Sequence, residues 1–335
     1  MASQWSRREE SRIGYAPLRR TTPFSSFVLA RDIRLAGLML GGLWLLDGLL
    51  QLQPYMFTHA FEVSVIQSSI DGLPEPLSSH LHTIVSAYLV PFSKSLNLIF
   101  AALELAVGVL MVTPKRLALI GGCVLSAAWS LLIWVIGEGM GGVTTFTVVR
   151  LNLRYPESLI MGFPGAALLY FLISIFILLS LKRGWILGEA LRITGVAVFG
   201  VGGLLQLLPE FWDPRVQFAM FSSSVLMGSA PRLLTPAIME MAYYIAMNTI
   251  IANMLEIIVS VALAVCFALR LPARVVVPLA AGWLGFVWVF GMGFMGLLNG
   301  TATDPGTPPL LFLLVVCTTS GRLSVMRGES THGSC

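Results

Sequence analysis

The chain has 335 residues, of which 56% are hydrophobic and only 11% are charged, and its formal net charge is +4. Soluble globular domains carry about 25% charged residues, so this composition excludes a soluble domain and predicts an all-α, polytopic membrane protein in a lipid bilayer. The mean hydropathy of +0.83 agrees. The basic residues lie in a tail and at segment ends, which does not indicate nucleic acid as a partner.

The first 34 residues are polar and basic. Residues 1–34 contain seven arginines among many serines. Such a segment cannot bury enough apolar surface to offset the entropy lost on ordering. The sequence therefore predicts a disordered cytoplasmic tail over 1–34, and a second, shorter cytoplasmic tail over 321–335.

Eight segments are apolar enough to be predicted as transmembrane helices. About 20 apolar residues span a bilayer as a helix, and the segments cover residues 35–54, 94–112, 117–137, 163–181, 191–208, 241–269, 275–298 and 308–320. Two more stretches, 60–92 and 215–240, are apolar but interrupted by proline, serine and charged residues. They are predicted to be interfacial or extramembrane helices.

The connections between these segments differ in charge. Lys and Arg beside a membrane helix stay on the cytoplasmic side. With the N-terminus inside, the inner loops contain Lys115, Arg116, Lys182, Arg183, Arg192, Arg270 and Arg274. The outer connections hold Arg150, Arg154, Arg215 and Arg232 as exceptions. The bias predicts a multi-pass protein of the cell's inner (plasma) membrane with both termini cytoplasmic.

The chain contains an internal duplication. "GLLQLQP" at 48–54 matches "GLLQLLP" at 203–209, an offset of 155 residues, and Trp134 matches Trp288 at an offset of 154. The pair Leu103-Glu104 recurs as Leu255-Glu256, at an offset of 152. We predict two four-helix units, 35–181 and 191–320. An even number of helices in each unit makes them parallel repeats, related by an axis along the membrane normal.

Glycines follow the third helix of each unit with the spacing G-x-G-x-x-G. They are Gly137, Gly139 and Gly142 in the first unit and Gly291, Gly293 and Gly296 in the second. A dinucleotide-binding turn needs a strand before the glycines and a helix after them, whereas here a membrane helix precedes them. No dinucleotide cofactor is expected. The glycines are predicted to let a neighbouring backbone approach closely.

Four stretches together resemble one family. "LWLLDGLLQLQPYMF" (43–57), "ALELAVGVLM" (102–111), "WVIGEGMGG" (134–142) and "GTATDPGTPPLLFLL" (300–314) are similar to DoxX-like membrane proteins. That family of bacterial and archaeal four-helix proteins includes the small subunit of thiosulfate:quinone oxidoreductase. The resemblance spans about 35–320 and implies two fused four-helix bundles and a part in a quinone-linked redox system, such as sulfur-compound oxidation. The first unit departs from it, because it lacks the "GTATDPG" form.

Ionisable groups inside a membrane are costly and are functional candidates by default. Asp47, Glu104 and Glu138 are predicted to converge in the outer half of the first unit, as candidate catalytic groups. Trp44 and Gln51 share one helix face with Asp47 and are candidate quinone-binding residues. A quinone head group needs hydrogen-bond partners and a proton acceptor beside an apolar slot. The alternative is that these groups only hydrogen-bond between helices.

The second unit keeps only part of this set. By the offsets above, the matched pairs are Asp47 and Gly202, Glu138 and Met292, Trp44 and Phe199, Gln51 and Gln206, and Glu104 and Glu256. The sequence thus predicts a site in the first unit and a scaffold role for the second. Retention in both units favours a structural role for Gln51 and Glu104.

Other functions stay open at this stage. His59, His80 and His82 lie in one outer loop near carboxylates and could bind Zn or Cu, but His80 and His82 cannot share a helix face, so solvated histidines are favoured and no metal site is predicted. A scaffold or assembly subunit of a larger redox complex is one alternative function. A small-solute transporter is another, although the inner-half segments show little polarity.

Overall fold

The computed structural model describes residues 23–71, 73, 75–142, 146–148, 153–183 and 187–329. In this part of the chain seven helices are long and apolar enough to cross a membrane: Arg31–Leu50, Leu77–Val112, Arg116–Ile136, Ala166–Arg183, Leu187–Leu205, Thr249–Ala268 and Ala273–Gly291. A shorter apolar stretch, Thr307–Thr319, lies in the last helix. The prediction of an all-α, multi-pass membrane protein is confirmed.

The first half begins with the helix α1 (Pro23–Leu50) and a 3₁₀ turn, Pro54–Phe57. The helices that follow it are α2 (His59–Phe61), α3 (Ser68–Asp71), α4 (Leu77–Ile84), α5 (Val90–Val112), α6 (Arg116–Ile136) and α7 (Ala166–Arg183). Turns of π-helix at Glu62–Gln67 and Val85–Leu89 join the outer helices to their neighbours. Shorter 3₁₀ turns at Gly139–Gly142 and Leu159–Met161 lie between α6 and α7.

The second half has a similar order, with two helices in place of three between its first two membrane helices. Its helices are α8 (Leu187–Leu205), α9 (Pro214–Leu226), α10 (Thr235–Met247), α11 (Thr249–Ala268), α12 (Ala273–Phe286) and α13 (Thr307–Glu329). A 3₁₀ turn at Pro209–Trp212 follows α8, just as Pro54–Phe57 follows α1. After α12 the chain passes through a π turn, Val287–Gly291, and a 3₁₀ turn, Gly293–Asn299.

Several boundaries differ from the sequence prediction. The tail predicted over 1–34 ends earlier, because α1 begins at Pro23, and proline is well suited to a first helical turn. The tail predicted from residue 321 is helical to Glu329. The segment predicted over 241–269 is divided at Asn248 into α10 and α11.

The stretch predicted as a separate outer helix over 60–92 continues into the next membrane helix. Residues Leu77–Val112 form one helical run of 36 residues. At 1.5 Å per residue it is about 54 Å long, which exceeds the hydrocarbon thickness of about 30 Å. Its first part therefore extends beyond the hydrocarbon region.

A short β-hairpin lies between α6 and α7. Its strands are β1 (Phe146–Val148) and β2 (Leu153–Tyr155), paired antiparallel with Phe146 opposite Tyr155. The sequence analysis did not predict it. The strands have three residues each, too few for the alternating pattern of a strand to stand out from its apolar surroundings.

The two halves share matched interhelical contacts. The Asn97 side chain donates to the carbonyl oxygen of Gln51 at 2.7 Å, and that of Asn253 donates to the carbonyl oxygen of Gln206 at 3.0 Å. Glycines also match. A Cβ atom on Gly48 would lie 2.9 Å from the backbone nitrogen of Leu105, and one on Gly203 would lie 3.1 Å from Cγ2 of Val261. Small residues thus bring the first two helices of each half together.

These contacts correct one part of the repeat alignment. Between α5 and α11, both the asparagine and the glycine contacts place matched residues 156 positions apart. Glu104 then corresponds to Ser260, and the predicted pairing of Glu104 with Glu256 is wrong. That pairing is displaced by about one helical turn, which leaves a side chain on nearly the same face. A match of two residues cannot distinguish the two registers.

The bundles pack against each other through one continuous apolar core. It contains buried side chains from both halves, including Leu40, Met111, Ile173, Phe199 and Leu314. The helices at the centre are α1, α7, α8 and α13, which contact one another. The two halves are therefore packed as one body, and residues from one half can reach the other.

Candidate functional site

A cavity of about 160 Å³ lies in the first bundle. All five side chains singled out in the sequence line it: Trp44, Asp47, Gln51, Glu104 and Glu138. The remaining wall is mostly apolar and aromatic, with Phe61, Leu89, Phe100, Trp129, Leu132, Ile133, Ile136 and Tyr170. The structure thus brings the candidate residues together around one space, while their chemical roles stay predictions.

Asp47 is held in place by a tyrosine from the fourth helix. It lies on α1 and its residue is only 2% exposed. The Tyr170 hydroxyl donates to Asp47 Oδ2 at 2.5 Å. Asp47 Oδ1 has no hydrogen-bond partner among the described residues, so one oxygen is positioned by the protein and the other is free for a ligand.

Trp44 belongs to a buried polar layer next to Asp47. Its ring centroid lies 4.4 Å from that of Tyr170. Its Nε1 donates to the Ser126 hydroxyl at 2.8 Å, and Ser126 is 2.7 Å from the Ser174 hydroxyl. These bonds join α1, α6 and α7 and fix the orientation of the indole ring at the cavity wall.

Glu104 has an arrangement like that of Asp47. It lies on α5, is 2% exposed, and accepts a hydrogen bond from Trp129 Nε1 at Oε1, 3.1 Å away. Its other oxygen, Oε2, has no partner among the described residues. The ring of Phe100 lies 4.8 Å from that of Trp129, measured between centroids. Aromatic rings thus border the second free carboxyl oxygen.

Gln51 directly follows α1, beside the cavity. Its backbone carbonyl accepts the bond from Asn97, and its side-chain Oε1 is without a partner within the described part of the chain. The residue is 9% exposed. The structural role expected for position 51 is therefore carried by its backbone, which leaves the side chain free to face a ligand.

Helix capping explains in part why a carboxyl group is buried at Glu138. It follows α6, and its carboxylate accepts the backbone N–H of Ala167 at 3.0 and 3.2 Å. This places a carboxyl group at the N-terminus of α7, where the helix dipole favours its ionised form. Burial, together with the charge of Asp304, raises the pKa of Glu138 to about 8.

Neither the donor nor the acceptor of this capping hydrogen bond has a counterpart in the second half. Trp134 and Trp288 donate to the carbonyls of Pro164 and Pro305 at 3.0 and 2.8 Å, which aligns the fourth helices. In this alignment Ala167 corresponds to Pro308, which has no N–H to donate, and Met292 corresponds to Glu138. The carboxylate and the donor it caps disappear together, which favours a structural share in the role of Glu138.

The sequence analysis missed a fourth carboxyl group, Asp304. It lies in the loop before α13, in the second half, and lines the cavity of the first half together with Thr303. Its oxygens accept hydrogen bonds from the Thr303 hydroxyl at 2.9 Å and from the Gly306 N–H at 2.7 Å. Burial raises the pKa of Asp304. The second half therefore contributes side chains to the wall of this cavity, which the sequence analysis did not predict.

One signal in the sequence pointed to this loop. The "GTATDPG" segment occurs only in the second unit, and that departure between repeats marks the segment that reaches the site. Tyr170 and Trp129, which hold the two deepest carboxyls, were also missed. An aromatic residue on a membrane helix gives no signal of its hydrogen-bond partner on another helix.

The glycine motifs are places of close backbone approach, as predicted. Gly139 and Gly293 have positive φ angles of 53° and 55°. A Cβ atom on Gly139 would collide with the carbonyl oxygen of Ser69, and one on Gly291 with that of Ile160. The helix α6, not a strand, precedes the motif. The spacing thus serves chain packing at the end of a membrane helix.

The three loop histidines have separate partners. His59 is 2.8 Å from Glu62, His82 is 2.7 Å from Asp71, and His80 is 2.8 Å from the carbonyl of Pro76. Within the described ranges, no group of three or more His, Cys, Asp or Glu side chains is placed to hold a metal ion.

Comparison of the chain with protein-family models, curated proteins and solved structures finds no match in any of the three. Function is therefore inferred from the cavity and its residues.

Proposed function

We propose that the protein is a membrane component of a quinone-linked redox system, with the quinone head group bound in the cavity of the first bundle. The observation that carries this proposal is the pair of buried carboxyls, Asp47 and Glu104, at an aromatic-lined cavity. Each has one oxygen held by the protein and one that no described residue contacts by a hydrogen bond. Buried unpaired polar atoms are costly. A ligand that bonds to them offsets that cost.

The size of the cavity suits a single ring. A cavity of about 150 Å³ accommodates benzene in an engineered protein, and this one has about 160 Å³. The rings of Trp44, Trp129 and Phe100 offer stacking surfaces. Leu132 lines the cavity and is 47% exposed on the outside of the bundle, so an apolar tail has a route into the lipid there.

The carboxyl groups would exchange protons with the ligand. Asp47 and Glu104 would contact the head-group oxygens, while Tyr170 and Trp129 keep the two carboxyls oriented. Glu138 and Asp304 lie at loops outside the membrane helices and would pass protons towards the aqueous side. Electrons would move to or from another subunit of a larger complex, with sulfur compounds as the substrate class that the DoxX-like resemblance implies.

The proposed location is the inner (plasma) membrane, with both termini cytoplasmic and the cavity in the outer half. The basic bias of the inner loops supports this orientation. A cysteine at the exposed position Ser79 should react with an impermeant thiol reagent added outside intact cells, whereas one at Lys182 should not. The reverse pattern would contradict the proposed orientation.

Binding of durohydroquinone, the reduced form of duroquinone, to the purified protein in oxygen-free lipid nanodiscs tests the function. Quenching of tryptophan fluorescence reports occupancy, because Trp44 and Trp129 line the cavity. Asp47→Asn should weaken binding at least tenfold, or about 1.4 kcal/mol, with little change in thermal stability because the side-chain volume is retained. The matched control is Glu256→Gln, a buried carboxyl of the second bundle, which should bind as the wild type does.

The alternatives make different predictions. A scaffold subunit would bind neither duroquinone nor durohydroquinone even as wild type, and would co-purify with partner subunits. A transporter needs a polar path through the inner half, whereas apolar side chains such as Leu40, Met111 and Ile177 are buried there. That core disfavours transport across the first bundle.

A further inference from the structure

The hydroxyl and indole N–H groups that line the cavity are already engaged within the protein. Tyr170 donates to Asp47, Trp129 to Glu104 and Trp44 to Ser126. At the outer edge the Thr303 hydroxyl donates to Asp304. These hydroxyl and indole groups therefore have no proton left to donate to a ligand.

The acceptors show the opposite pattern. Asp47 Oδ1, Glu104 Oε2 and Gln51 Oε1 are buried and have no partner among the described residues. All three side chains line the same cavity and are at least nine-tenths buried. In their ionised forms the two carboxyls thus offer two free acceptors for a ligand that brings its own donors, while the Gln51 amide can accept or donate.

The two forms of a quinone differ in this respect. The oxidised ring presents two carbonyl acceptors, whereas the reduced ring presents two phenolic O–H groups, which donate as a tyrosine does. Two acceptors facing each other leave both unpaired, and a buried polar group without a partner destabilises the complex. We propose that this cavity selects the hydroquinone over the quinone through Asp47 and Glu104. The inference rests on the proposed function.

Protonation of the carboxyls would weaken this selection. A protonated carboxyl carries one O–H donor, so acidification converts the same positions from acceptors into donors. The titratable groups that act on Asp47 are Tyr170, Glu104, Glu138 and Asp304, and no Lys, Arg or His is among the residues lining the cavity. The preference for hydroquinone should therefore be larger at about pH 8.5 than at about pH 6.

Three probes distinguish the effect of the ligand's O–H donors on binding from the effect of the ligand's shape. They are duroquinone, durohydroquinone and durohydroquinone dimethyl ether, which keeps the reduced ring but has no O–H. Binding to the full-length protein in nanodiscs is measured without oxygen by fluorescence quenching. We expect durohydroquinone to bind at least tenfold more tightly than the other two. A tenfold difference raises the two-electron potential of the bound pair by about 30 mV.

Variants in which an amide replaces each carboxyl test whether Asp47 and Glu104 cause the preference for the hydroquinone. In Glu104→Gln and Asp47→Asn, the amide oxygen accepts from Trp129 or Tyr170 and the NH₂ group faces the cavity. Each variant should lower the ratio of hydroquinone to quinone affinity at least fivefold, even where total affinity falls. Glu256→Gln, which leaves the cavity unaltered, should keep the wild-type ratio.

The outcomes are distinct. If none of the three probes binds, the proposed function fails. If duroquinone binds as tightly as durohydroquinone, or the dimethyl ether matches durohydroquinone, the donor selection is overturned while quinone binding stands. An unchanged ratio in both amide variants would also overturn it.

Discussion

The first and second bundles keep the same helix contacts but have different interiors. Both retain the asparagine bond between their first two helices and the tryptophan bond to a proline carbonyl. Three acidic positions of the first bundle have no acid in the second, where the matched residues are Gly202, Ser260 and Met292. Leu311 takes the position of Tyr170. Duplication thus preserved the contacts that assemble each bundle and let the cavity diverge.

Each bundle is also completed by a loop from the other half. The loop before α7 places Leu159 against Gly202, where a Cβ atom would overlap the leucine side chain. The loop before α13 places Asp304 at the cavity of the first bundle. One exchanged loop fills a space and the other adds a carboxyl. The chemical difference between the bundles therefore depends on both halves.

The largest effect is expected from placing an acid in the second bundle at Gly202, the counterpart of Asp47. Its side chain would meet Leu159, and the position of Tyr170 is taken by Leu311, which cannot donate a hydrogen bond. Leaving a buried charge unpaired costs about 3–5 kcal/mol. Gly202→Asp should sharply lower the unfolding temperature in detergent, measured by tryptophan fluorescence.

The control for this variant is Gly202→Ala, which adds bulk without charge. The flexible leucine side chain can shift, so a smaller loss of stability is expected. If Gly202→Asp unfolds at the wild-type temperature, the two interiors are not as different as the structure indicates.

Removing the shared asparagine bond should have a smaller and symmetric effect. Asn97→Ala and Asn253→Ala each leave a backbone carbonyl without its side-chain donor, which costs about 1–3 kcal/mol. The two variants should lose similar stability on thermal unfolding. Asn248→Ala, which removes an exposed bond to the Tyr244 carbonyl, should lose much less. A loss in only one half would break the equivalence.

A third effect, which depends on pH, concerns Glu138, whose pKa is raised from 4.5 to about 8. The folded state therefore holds this proton more tightly than the unfolded state. The stabilisation is complete below about pH 4.5 and is lost as the pH rises through about 8. Glu138→Gln cannot titrate, so its unfolding temperature should fall less than that of the wild type between about pH 5 and pH 9.

Asp304→Asn sharpens this test, because the charge of Asp304 is one cause of the raised pKa of Glu138. The pH at which stability falls should move downwards in this variant. Identical pH profiles for the wild type and both variants would show that neither carboxyl titrates against the other.

Local patterns in the sequence predicted the parts of the site that lie on one helix. The spacing i, i+3 and i+7 places Trp44, Asp47 and Gln51 on one face of a helix, because the helical repeat of 3.6 residues acts over short distances. The residue-by-residue alignment of the two repeats was harder to predict. The match of Glu104 to Glu256 spans two residues only, and contacts between helices were needed to show that Ser260 is the counterpart.

The sequence by itself determined that the chain is a multi-pass helical membrane protein, because apolar length and the scarcity of charge act residue by residue. Only the tertiary structure decided which groups share a cavity and how each is held. Tyr170 reaches Asp47 from 123 positions away, and Asp304 comes from the other half of the chain. Such pairings depend on how whole helices and loops pack, and no local spacing encodes them.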